Sequence, residues 1–138
     1  MAQDDPAPAL DLDEVLAVAE LRVALRQFMR STELAARSCG LTPQRHLLLL
    51  MIKGAPDRSE RATVTDLSQR LFLAQNTVTD LVARSADAGL VERVPSPQDA
   101  RVTYLHLTPL GEQRLARVMA ALTEERRALR EAIEALDS

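Results

Sequence analysis

The stretch QNTVTDLVAR at residues 75–84 concentrates side chains suited to recognition, not reaction. Wound as an α-helix, it places Val78, Leu81 and Val82 on one side. Gln75, Asn76, Thr77, Thr79, Asp80 and Arg84 then lie on the exposed side. Carboxamides, hydroxyls and a guanidinium donate and accept hydrogen bonds, which is the chemistry of reading base edges in the major groove of duplex DNA. Reaction chemistry has no comparable footing. The sequence carries no Gly-rich phosphate loop and no Ser-His-Asp arrangement at a recognisable spacing. One cysteine, Cys39, and two histidines, His46 and His106, form neither an internal disulfide nor a structural zinc site. The chain reads as a non-enzyme without a cofactor or metal.

A polar helix reads a groove only when other elements hold it there. Residues 11–38 contain no Pro or Gly. Leu12, Val15, Leu16, Ala19 and Val23 share one face, and Leu21, Leu25, Phe28 and Ala35 continue it on a neighbouring stripe. That predicts a long amphipathic helix, capped by Asp11 or Asp13 and ended by Gly40 in a left-handed turn. Thr42-Pro43 starts a second helix, N-cap then Pro. Its segment Leu47–Ile52 is apolar all round, so burial on most sides is expected. Lys53–Ala62 reads as a polar loop. Thr63-Val64-Thr65-Asp66 has the form of a capping box opening a short helix with Val64, Leu67 and Leu71 inward. A tight turn at Phe72-Leu73 leads to the polar-faced helix, about 74–88, which Gly89 ends.

Leu90–Val94 and Val102–Leu107 alternate as two strands around the tip PSPQDA, predicting a hairpin. Thr108-Pro109 then caps a final helical region of one or two segments. There Leu115, Val118, Met119, Leu122, Leu129, Ile133 and Leu136 approach a heptad. Short helix, turn, polar-faced helix and hairpin together predict a winged helix-turn-helix. The fold class is mainly α with a small β-hairpin wing.

Composition agrees with helices packed on helices. Aromatics are only 2% (Phe28, Phe72 and Tyr104), so Leu, Val and Ala must build the core. No apolar run approaches the roughly 20 residues that span a bilayer. The acidic start MAQDDPAPALDLDE lacks the pattern of a secretory signal, so a cytoplasmic location is expected. Residues 61–106 carry five basic and five acidic side chains. Affinity for DNA must therefore come from a few placed arginines and not from bulk charge. A winged-helix module that binds protein instead of DNA is the alternative, favoured by that neutrality and by Asp80.

The ordered pieces LTPQRHLLLL, TVTDLSQRL, QNTVTDLVARSADAGLVER and PSPQDARVTYLHLTPLG resemble the MarR family of bacterial transcriptional regulators. The resemblance runs from Leu41 to Gly111 and includes Asp99-x-Arg101 and Leu107-Thr108-x-x-Gly111. It implies a homodimer built from the first and last helices, with two lobes reading double-stranded DNA. The implied organisation is a flexible segment at 1–10, a dimerisation helix at 11–40, the DNA-binding lobe at 41–107 and C-terminal dimerisation helices at 108–138. Gln75, Asn76, Thr77, Thr79 and Arg84 would then face bases and phosphates. Arg101, oriented by Asp99, would enter the minor groove or contact its backbone.

The resemblance further implies a repressor on a pseudo-palindromic operator, released by a small aromatic or phenolic effector or a stress signal. His46 is the candidate for an effector pocket, against a plainer reading as a packed, hydrogen-bonded histidine. Cys39 is the candidate redox residue, against a plainer reading as a buried, inert thiol. The sequence departs from the family pattern at Ala74, where a Ser N-cap is common, at Asp80, and at Ser85, where an apolar residue is common.

Overall fold

Asp11 opens the first helix: its Oδ1 accepts from the Asp13 amide at 3.0 Å. This helix, α1, runs Leu12–Ser38. Gly40 ends it in the left-handed region (φ 76°). The Leu41 amide returns to the Ala36 carbonyl at 2.8 Å, satisfying a terminal acceptor. Helix α2, Pro43–Lys53, is capped by Thr42, whose Oγ1 accepts from the Arg45 amide. Then follow α3 (Val64–Leu71), α4 (Gln75–Asp87), strands β1 (Val91–Pro95) and β2 (Thr103–Leu107), α5 (Pro109–Ala121) and α6 (Thr123–Glu134). A 3₁₀ turn, Ala135–Asp137, closes the sequence of elements. The computed structural model describes residues 5–137. Of the segment expected to be flexible, residues 1–4 lie outside the described ones, and residues 5–11 form no regular element.

The mainly α fold with its two-stranded wing is as expected, with local differences. The first strand begins at Val91 and reaches Pro95, and the second begins at Thr103. The heptad after Thr108 does not sit on one continuous rod. Leu122 (φ −111°, ψ 14°) breaks the helix into α5 and α6. Leu47 is 41% exposed, so α2 is not buried all round.

The chain divides into two compact units, residues 32–121 and residues 5–31 with 122–137. The larger unit holds the helix-turn-helix and the wing. Its core is aliphatic: Leu48, Leu49 and Ile52 of α2 meet Leu67, Val78, Leu105 and Val118, all essentially inaccessible. In the smaller unit the first part of α1 leaves Leu12, Leu16, Val23 and Met29 about half or more exposed, and Ile133 of α6 is 49% exposed.

Candidate nucleic-acid interface

Two short-range devices hold α3. Thr63 Oγ1 accepts from the Asp66 amide, and Asp66 Oδ2 accepts from the Thr63 amide, both at 3.1 Å. This is the expected capping box. At the other end Phe72 adopts a left-handed conformation (φ 56°) and its amide bonds the Ser68 carbonyl. Ser68 locks the turn a second time, donating from Oγ to the Leu73 carbonyl at 2.6 Å. Ala74, the N-cap of α4, offers no side-chain acceptor. Gln75 donates from Nε2 to Thr65 Oγ1 at 3.3 Å, joining the first turns of α3 and α4.

Helix α4 presents the face read from the sequence. Val78, Leu81 and Val82 are buried, whereas Gln75, Asn76, Thr77, Thr79, Asp80 and Arg84 are exposed. Arg84 Nη2 lies 3.2 Å from Asp80 Oδ2. Ser85, on the inner side, is fully buried and its Oγ has no hydrogen-bond partner.

The wing is an antiparallel hairpin in which Val91 pairs with Leu107 and Pro95 with Thr103. Its tip is organised by Ser96, whose Oγ accepts from the Gln98 and Asp99 amides. Asp99 grips Arg101 three times: Oδ1 accepts from the Arg101 amide and from Nε, and Oδ2 from Nη2, at 3.0–3.2 Å. These bonds to the guanidinium, and then to the backbone amide, hold the Asp99 carboxyl below its usual range. The Arg101 side chain remains 90% exposed, so its position is set while Nη1, which Asp99 does not engage, faces solvent and can meet an anion.

Three contacts anchor the hairpin to the unit. Ala62 bridges to Leu105, amide to carbonyl in both directions. Arg61 lies over the Tyr104 ring, 3.9 Å from its centroid. The Leu107-Thr108-x-x-Gly111 motif also gains a physical meaning. Thr108 Oγ1 donates to the Gly89 carbonyl at 2.5 Å and accepts from the Gly111 amide at 3.1 Å. A Cβ on Gly111 would fall 2.2 Å from the Leu90 carbonyl oxygen, so only glycine permits this approach.

His46 and Cys39 lie away from this face. His46 is 3% exposed, and burial lowers its pKa. The expected packing is observed, but Nδ1 has no hydrogen-bond partner, which corrects the reading of a satisfied histidine. Cys39 is half-buried rather than buried, at the α1–α2 turn, where its carbonyl accepts from Arg114 Nη1. An apolar cleft of about 490 Å³ lies between α2 and α5, lined by Leu50, Leu115, Ala116 and Met119, with Lys53 and Glu112 at its rim. His46 does not line it. Lys53 bonds Glu112 at 2.7 Å and also Glu60, tying the loop before α3 to α5.

A family model for MarR matches residues 40–102, the span of α2, the helix-turn-helix and most of the wing. Over that span, just under half of its length, the chain matches the MarR family. Among curated proteins, it is similar to an uncharacterized HTH-type transcriptional regulator, YsmB, of Bacillus subtilis (strain 168). The two are 42% identical over 62 residues, covering 45% of this chain. The match spans only 42% of that relative's length. Among solved structures, the MarR family transcription regulator SP03579 aligns with a TM-score of 0.68 at 25% identity, over 85% of this chain and 75% of that one. A mutant MarR from E. coli complexed with operator DNA aligns with a TM-score of 0.64 at 20% identity, over 88% and 85%. That likeness is one of fold.

Several contributors escaped sequence reasoning. Ser96 carried a signal in its Ser-Pro pair at a turn. Thr65 and Arg61 carried none, because their roles depend on neighbours distant in sequence, and the turn read at Phe72-Leu73 gave no sign of the left-handed backbone at Phe72.

Proposed function

We propose that this chain is a MarR-family regulator that binds duplex DNA as a homodimer and acts as a repressor at a pseudo-palindromic operator. The observation that carries the reading is the pairing of two presented sites on one unit. One is the exposed polar face of α4, and the other is Arg101 at the wing tip, oriented by Asp99. A helix of this kind fits the major groove and reads base edges, while a basic wing tip meets phosphate or the adjacent minor groove. The fold shared with a MarR bound to operator DNA supports the same assignment.

The second copy follows from apolar surface. Leu12, Leu16, Val23 and Met29 of α1 and Ile133 of α6 belong to the smaller unit and are too exposed to be left in water together. Burying them against a second copy gives a two-fold assembly, in which two recognition helices meet half-sites about 34 Å apart. Occupying promoter DNA suffices for repression without any further contact. Release follows when a ligand favours a dimer state with another lobe separation. The apolar cleft between α2 and α5 has the size and lining for a small aromatic or phenolic effector. DNA as the partner places the protein in the cytoplasm.

The test is a footprint on the region upstream of the protein's own gene, with sedimentation of the free protein at micromolar concentration. Two protected half-sites one helical turn apart and a dimer mass are expected. A monomer mass, or no protection at low salt, refutes the reading.

A further inference from the structure

Phe72 is 92% exposed, and its backbone lies in the left-handed region at φ 56°. Both facts run against its chemistry. A side chain at this φ crowds its own backbone, so helix C-termini that turn this way use Gly or Asn. An exposed phenyl ring also gains nothing from packing. Neither backbone preference nor burial in the folded chain accounts for phenylalanine at this position. Strain of this sort persists where the surroundings over-determine it, and it concentrates at functional positions. The surroundings here do over-determine it: the Phe72 and Leu73 amides both bond the Ser68 carbonyl, while Ser68 Oγ holds the Leu73 carbonyl.

The turn places the ring beside the recognition face. Phe72 is three residues before Gln75, which keeps their Cα atoms within about 11 Å. Thr65 accepts from Gln75 Nε2, which fixes the first turn of α4 beside α3.

We propose that Phe72 is a specificity-determining DNA contact whose ring packs on the C5-methyl of a thymine in each half-site. The inference rests on the DNA-binding reading above. Gln75, Asn76, Thr77 and Arg84 address polar groups of the base edges, but the major groove also carries one apolar group, the thymine methyl. An exposed aromatic ring at the turn before α4 adds a broad apolar surface to a row whose own apolar groups are the small γ-methyls of Thr77 and Thr79.

The experiment uses the full chain, a duplex that it binds, and copies of that duplex with deoxyuridine replacing each thymine in turn. Burying one methyl group is worth about fourfold in affinity, so one deoxyuridine per duplex at the contacted position weakens the wild type about fourfold. Phe72→Gly relieves the left-handed strain, so its Tm rises by about 3 °C, while its affinity falls about fifteenfold with both half-sites counted. The contacted thymine no longer matters to it. Phe72→Ala keeps a Cβ at the same φ and loses the same affinity without the gain in Tm. A Phe72→Gly protein that binds as tightly as the wild type overturns the proposal. So does a weakened variant that retains every deoxyuridine effect. A wild type that binds no duplex specifically overturns the proposal together with the DNA-binding reading, which the other two outcomes leave standing.

Discussion

Arg84 and Asp80 face one another one turn apart on the exposed side of α4, Nη2 to Oδ2 at 3.2 Å. The acid sits on a face proposed to meet phosphate, and it engages one of the few cations available there. Residues 61–106 carry five basic and five acidic side chains, so each such pairing matters to a surface with no bulk charge.

Asp80→Asn is expected to free Arg84 for the DNA backbone. Both side chains are largely exposed, so folding stability changes by no more than about 0.5 kcal/mol. Duplex binding tightens at each salt concentration, while the slope of log affinity against log salt stays near that of the wild type, because Arg84 meets phosphate in both proteins. Retardation across a salt series measures both. Weaker binding with altered base preference would instead show that Asp80 accepts a hydrogen bond from a base.

The wing and the helix are expected to have separable roles. Arg101→Ala weakens binding to all sequences alike and makes the salt slope shallower by about 1.8, because it removes one backbone contact from each copy. Asn76→Ala changes which sequences are preferred, with a loss of about 1–3 kcal/mol on the best site. Selection from randomised duplexes separates the two outcomes. A change of preference in the Arg101 variant, with none in the Asn76 variant, reverses the assignment.

His46 makes stability depend on pH in a defined direction. Burial lowers its folded-state pKa from the ordinary value of 6.5, so the unfolded chain takes up the proton first. Its effect is flat above about pH 7. Below the unfolded value stability falls, by up to about 1.4 kcal/mol per pH unit, until the folded pKa is reached. Urea unfolding at several pH values between neutrality and mild acid tests this, and His46→Leu flattens the profile. Equal acid losses in both proteins would place the effect elsewhere.

Ser85→Ala is expected to stabilise the larger unit. It removes a buried hydroxyl that lacks a partner, at the cost of one small atom's packing. The gain is about 1 kcal/mol, read as a higher urea midpoint with unchanged m-value. A lower midpoint would mean that the hydroxyl has found a partner.

Much of the fold is legible because its signals are local. Thr42-Pro43, the Thr63–Asp66 box and Gly40 each act within four residues, so their geometry follows from residue type. The α4 face is legible for the same reason, since helical spacing alone sorts Val78 and Val82 from Asn76 and Arg84. What was not legible depends on distance in sequence or on strain. Arg61 over Tyr104, Lys53 between Glu60 and Glu112, and Thr65 under Gln75 are made by the folded unit. The break at Leu122 interrupts a heptad that reads as continuous, and the left-handed Phe72 stands where residue preference predicts glycine.

The central claim is that a few placed arginines give this protein its hold on duplex DNA, and a salt series tests it most directly. The measurement is the affinity of the full chain for a duplex from upstream of its own gene between about 50 and about 200 mM salt. Arg84 and Arg101 from two copies neutralise about four phosphates, which predicts a slope near −3.6 and a loss of about a hundredfold across that range. A duplex that is not retarded even at the lowest salt, or an affinity indifferent to salt, would contradict it.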